Sequence, residues 1–319
     1  MLAALAITYG GRTMAADAPP NAVESIEAVR SPKNPLITAK SSKRIGKNIN
    51  GPSVIRVPDW LPNPLGKYYM YFAHHGGDHI RLAVADDLHG PWKVHEPGTL
   101  KLPEAKSFKG HIASPDVHVD DQKRLIRMYF HGPAKGRGGQ WTGVATSRDG
   151  VSFQASDEVL GKFYFRVWKW KGWHYAIAKD WNSGWGELLR SEDGLTPFES
   201  RGRFVKMMRH CAVMLRGGQL LVFHSRKGDA PERIVLTTVE LSDDWKDWRE
   251  SEVVEVIKPE AEYEGMEYPN RPSNYGSAVK VRQLRDPCVF EENGRVYLFY
   301  SVAGEMGIAL AELKITMRR

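Results

Sequence analysis

The sequence predicts an all-β fold, a five-bladed β-propeller. A unit of three or four short strands recurs five times at intervals of roughly 45 to 75 residues, as radially repeated small sheets do. The strand chemistry repeats with it: an apolar first strand, an aromatic-rich second, a third ending in Ser or Ala with Asp, and an aromatic start to a fourth. The chain also carries 30 Gly and 19 Pro, enough to serve many turns. A two-sheet sandwich shares the short strands and turn signals but need not repeat their chemistry every third or fourth strand.

The blades are read in chain order. The first, near 45–105, comprises "GPSVIRV", "KYYMYFA" and "IRLAVADDLHGPWKV"; the second, near 108–160, "SPDVHVDD", "LIRMYFH" and "TGVATSRDGVSFQA". The third, near 161–205, reads "YFRVWKW", "WHYAIAK", "ELLRSEDGLTPFES", and the fourth, near 206–257, "HCAVMLR", "LLVFHS", "IVLTTVELSDDWKDW". The fifth, near 280–316, is "DPCVFEE", "RVYLFYS", "GIALAEL" and stops after its third strand. Residues 31–40, "SPKNPLITAK", are therefore expected to supply the missing outer strand and fasten the ring, making 23–319 one domain.

Residues 1–22 hold a short apolar stretch and then "TMAADAPP", which reads as a signal peptide with a truncated start, or else as a disordered tail. The first reading predicts a secreted or periplasmic protein. No other apolar run has membrane-spanning length. Cys211 and Cys288 sit in strand-like apolar runs and read as buried small hydrophobes. The net charge of +7 is spread along the chain without a run that would mark nucleic-acid binding, and suits an anionic small substrate or glycan.

In a blade the first strand lines the central channel and the second returns beside it, so the start of one and the end of the other emerge on one face. Aligning the first strands on Val54, Val117, Val167, Val213 and Val289 makes Gly51, Ser114, Tyr164, His210 and Asp286 equivalent. Asn50, Arg209 and Arg285 precede three of these; Asp116 and Arg166 lie two residues beyond two of them, pointing the same way by strand alternation. The second strands end in His74-His75, His131, Lys179-Asp180, His224 and Ser301. Five copies thus converge on a polar pocket at the channel mouth. The insertion 258–281 is read either as a lid bringing Glu264, Glu267, Tyr268 or Tyr275 to that pocket or as a solvated linker.

"RDPCVFEENGRVYLFY", with "ALAEL" after it, resembles the five-bladed glycoside hydrolases of family 43 and their relatives in families 32, 62, 117 and 130. The resemblance implies a carbohydrate-active enzyme with pocket carboxylates serving as base or nucleophile, acid and modulator. Two of the positions where such relatives open a blade with Asp fall here on Gly51 and Ser114; Asp286 alone keeps an Asp-Pro entry. The candidate acid and base are therefore Asp116 and Asp286, with Asp180 as a further carboxylate.

His74 and His131 join the candidate catalytic residues, because a polysaccharide lyase acting on a uronate-containing glycan would use a histidine base, and His75 or His210 would serve equally. The substrate-orienting shell is read as Asn50, His75, His111, Arg166, Arg209, His210, His224, Glu267 and Arg285, with the arginines suited to an anionic group. No cofactor is required; a divalent metal held by several imidazoles with Asp116 or Asp286 is an alternative without a fixed ligand spacing. A non-catalytic sugar-binding propeller is the remaining class, with Trp141, Trp181 and Trp185 as its platform or as a subsite wall.

Overall fold

A computed structural model describes residues 23–274 and 279–318. Five antiparallel sheets stand in a ring, a five-bladed β-propeller. The inner strands, in blade order, are Asn50–Arg56, Ala113–Asp120, Arg166–Trp170, Met208–Arg216 and Arg285–Glu292. The second strands are Tyr68–Ala73, Leu125–Pro133, Trp173–Lys179, Gln219–Arg226 and Arg295–Val302.

Ring closure is written into the packing. Both faces of a blade meet another blade, so the second strand of blade 1, "YYMYFA", is buried at every residue. The apolar core divides into five clusters, one at each junction of neighbouring blades, including the junction of blade 5 with blade 1, where Phe299 and Leu310 meet Met70 and Phe72. A recurring polar device joins some of them. The Ser-x-Asp-Gly ends of third strands form turns in which Asp149 accepts from the amides of Val151 and Ser152 (2.8 and 2.7 Å), and Asp193 from those of Leu195 and Thr196 (2.8 and 3.0 Å). Into each turn reaches a tyrosine of the preceding blade: Tyr71 donates to the Gly150 carbonyl at 2.7 Å and Tyr129 to that of Gly194 at 3.0 Å.

The outer strand of blade 5 is Val23–Arg30, paired antiparallel along the third strand Gly307–Met317. This moves most of the expected closure upstream: within 31–40, Ile37–Thr38 pairs with that strand over Ile308 and Gly307, and the Ser31 and Leu36 amides donate to its Leu310 and Ile308 carbonyls. The cause is the run "SPKNP", which breaks the extended chain between the two pieces. The signal-peptide or tail reading of 1–22 lies outside the described residues, as does Tyr275. No helix is long and apolar enough to cross a membrane among the described residues.

Candidate active site

The equivalence of the strand starts is also one of backbone conformation. Gly51 (φ 59°), Ser114 (φ 46°), Tyr164 (φ 68°) and Asp286 (φ 46°) are all left-handed, and the first, second and last precede a proline. Inner-strand pairing slips there, between Asn50 and Ser53, Ala113 and Asp116, and Arg285 and Cys288, and blade 4 slips between Met208 and His210. Each slip is a bulge that re-aims a side chain at the channel mouth. Left-handed non-glycine residues are costly and are kept where the surroundings impose them, often at functional sites.

These bulges, with the loops joining second to third strands, enclose a pocket of about 120 Å³. Asp286 lies in it, 3% exposed; the Tyr164 hydroxyl donates to its Oδ1 at 3.2 Å and His210 Nε2 stands 3.6 Å away. Opposing charges and partners then extend behind the wall. Glu232 pairs with Arg209 (2.9 Å) and Arg285 (2.8 Å) and lies 3.7 Å from His210 Nδ1. Glu305 pairs with Arg285 at 3.0 Å and accepts from the amides of Asn48 (2.6 Å) and Asn50 (2.8 Å).

His75 faces the pocket with its side chain 53% exposed and Nδ1 3.5 Å from Glu305. Its pKa is raised, chiefly by Glu305, so it holds its proton more firmly than a free imidazole. Burial alone would push the Glu305 carboxyl up, but His75, Arg285 and Asn48 pull it well below the usual carboxylate range. The same opposition, with Arg209 and Arg285 dominant, holds Glu232 ionised. By contrast, burial lowers the pKa of His210 and sends that of His131 well down, favouring the neutral imidazole in both.

Of the residues expected at the mouth, Asn50, His75, His111, His131, Arg209, His210 and Asp286 line this pocket. His111 Nε2 donates to Gln140 at 3.0 Å. Asp116 does not line it. It borders a cavity of about 480 Å³ at the other end of the channel, where it accepts from His118 Nε2 and the Val167 amide, both at 2.8 Å. One bulge intervenes between entry position and Asp116, and two residues further along an inner strand carry a side chain down the channel. Arg166 borders that far cavity too; its Nε donates to the Cys211 carbonyl at 3.0 Å and its guanidinium lies 4.1 Å from the centre of the Tyr164 ring.

Arg285 stands behind the pocket wall, consumed by Glu232 and Glu305. His74 lies off the pocket and packs against Gly77 in the turn that follows the strand. His224 is fully buried inside blade 4 beside Thr237. Glu267 is exposed and off the pocket, and Glu264 is buried at the ring closure, bound by Arg30, so neither comes from a lid. Asp180 is held by Lys162 (2.6 Å) and Arg203 (3.3 Å). Trp181 lines the pocket and packs against Trp141 and Phe163; Trp185 does not line it. Among the described residues no group of three or more His, Cys, Asp or Glu is placed to hold a metal ion.

Glu232 and Glu305 were not foreseen. Both sit in loops joining the second to the third strand, "KGDAPER" and "AGEM", the loop class that carries His75 in blade 1. The equivalence of those five loops, like that of the strand starts, is the sequence signal for them.

No family model matches the chain. Solved structures share its architecture: a GH130-family glycoside hydrolase acting on β-1,2 mannosidic linkages in Candida mannan (TM-score 0.62, 11% identity, covering 93% of this chain and 95% of that one). CoXyl43, a GH43 β-xylosidase/α-arabinofuranosidase from a compost microbial metagenome, superposes with a TM-score of 0.59 at 15% identity, covering 91% and 94%. A GH43_1 enzyme from Xanthomonas citri gives 0.60 at 14%, covering 91% and 94%. The fold is therefore the five-bladed propeller of the GH43 and GH130 glycoside hydrolases. In sequence, the uncharacterized protein R118 of Acanthamoeba polyphaga mimivirus is 36% identical over 324 residues, covering 89% of this chain and 90% of its own length, and the chain belongs to the family of that protein.

Proposed function

We propose that this protein is a carbohydrate-active enzyme that hydrolyses a glycosidic bond at the channel mouth, with Asp286 as base and His75 as acid. The reading is carried by one small pocket that holds both a buried carboxylate and an imidazole whose pKa a second buried carboxylate, Glu305, raises. Glycoside hydrolysis needs a proton donor to the leaving oxygen and a base for the incoming water. Asp286 takes a proton from water as its oxygen bonds to the anomeric carbon. His75 gives a proton to the departing oxygen, and both reset by exchange with solvent. Glu305, bound four ways and ionised, is a positioning residue that favours the protonated form of His75. The fold shared with glycoside hydrolases supports the substrate class but not the assignment of roles.

A second reading, β-elimination from a uronate-containing glycan, is favoured by His131 and His210, whose lowered pKa values favour the neutral, base-competent imidazole. Incubation with neutral and acidic oligosaccharides, followed by reducing ends and ultraviolet absorbance together, separates them. The proposal expects new reducing ends without a conjugated chromophore. Both signals together would replace it by elimination, and binding without either would make the protein a sugar-binding module. Export, from the apolar start of the chain, remains a proposal alongside and is tested by fractionating the producing cells.

A further inference from the structure

Lys179 closes the second strand of blade 3, in the register that gives His131 to blade 2, and lines the pocket. Its amide donates to the Phe163 carbonyl at 2.9 Å, fixing the strand end, while its ammonium lies 5.0 Å from the centre of the Phe163 ring and 5.9 Å from that of Tyr164. Aromatic faces attract the charge but do not neutralise it. Among the described residues its ammonium has no carboxylate within ion-pair distance, although four lie in or near this part of the molecule.

Each of those four is committed elsewhere. Asp180, the next residue, serves Lys162 and Arg203; Glu232 serves Arg209 and Arg285; Glu305 serves Arg285 and His75; Asp286 meets Tyr164 and His210. An ammonium held in a partly dehydrated pocket without a counter-ion is a cost to the free protein that a bound anion would remove. Burial lowers the Lys179 pKa to about 8, with Arg209 adding to the fall and Asp286 and Glu232 opposing it. The lining adds Arg209 and Lys227 on the cationic side against Asp286 and Glu305.

We infer that the sugar bound in this pocket is acidic, and that Lys179 holds its carboxylate or sulfate group. This rests on the reading of the pocket as a sugar site. Phe163 and Trp181, stacked with ring centres 6.2 Å apart, supply the apolar wall a sugar ring needs beside such an anchor. A lysine is a point charge without a fixed fork, so it accepts either kind of anionic oxygen.

The test is titration calorimetry at neutral pH and low salt with matched methyl glycosides in the glucose, galactose and mannose series, each as the neutral sugar, the 6-carboxylate and the 6-sulfate. In at least one series an acidic form is expected to bind ten-fold or more tightly than its neutral counterpart. Lys179→Met brings that ratio close to one, and Lys179→Arg, which keeps the charge, retains it. Preference for the carboxylate or for the sulfate identifies the group; either supports the inference. Equal binding of neutral and acidic sugars, or a preference that survives in Lys179→Met, overturns it while leaving a sugar pocket standing. Failure of every sugar to bind overturns both.

Discussion

Asp286 and His75 reach one pocket from blades 5 and 1, and the titration of His75 depends on a neighbour. Glu305 raises the His75 pKa, and an acid is competent only while protonated, so activity falls as pH rises through that pKa. Glu305→Gln should therefore move the alkaline limb of the kcat/KM profile to lower pH. His75→Gln should slow cleavage of sugars with poor leaving groups by roughly 100-fold or more, and much less with nitrophenyl leaving groups that need no protonation. Asp286 was legible because it follows the repeat pattern and precedes proline. Gly51 shows why the relatives' carboxylate is not simply displaced nearby: its φ of 59° disfavours any side chain, and a Cβ there would stand 3.3 Å from the Ser114 Cα. The partners of the site were less legible, since the Glu305 bonds to Asn48 and Arg285 join residues 257 and 20 apart.

The closure of the ring is the feature most exposed to change among the elements. The strand Val23–Arg30 ends in Arg30, whose Nε and Nη2 grip Glu264 at 2.8 and 3.0 Å, while Tyr300 donates to the same carboxylate at 2.9 Å. One fully buried carboxylate thus ties the first strand, the segment between blades 4 and 5, and the second strand of blade 5. Arg30→Met should cost on the order of 2 kcal/mol in urea unfolding, because it leaves Glu264 with its remaining donors but no counter-charge. Adding Glu264→Gln should recover part of the loss. The strands themselves could be read from apolar and aromatic runs, and the need for an outer strand from the missing fourth strand of blade 5. Which residues fill it could not, because pairing with Gly307–Met317 depends on a contact across nearly the whole chain.

Across the whole molecule, buried titratable groups set the response to acid. His224 is fully enclosed and burial lowers its pKa to about 3, whereas an unfolded imidazole takes its proton near pH 6.5. Between these values the unfolded chain binds more protons, so the contribution of a neutral His224 is complete above about pH 6.5 and is lost as pH falls, by roughly 1.4 kcal/mol per unit. His131 acts in the same sense, and below about pH 4.3 so do Glu232 and Glu305, whose folded pKa values are depressed. Melting temperature should fall steadily from pH 7 to 4.5, and His224→Gln should flatten the slope. The five-fold repeat made the ring and its two channel ends predictable from sequence, but the bulge at the start of the inner strand of blade 2 displaced Asp116 from one end to the other. Turnover by Asp286→Asn and Asp116→Asn, measured side by side on the best substrate and normalised to folded protein, decides which end of the channel holds the chemistry. Chemistry at the mouth lined by Asp286 predicts a fall of at least about 100-fold for Asp286→Asn and a change within a few-fold for Asp116→Asn; full activity in the first with loss in the second would contradict it.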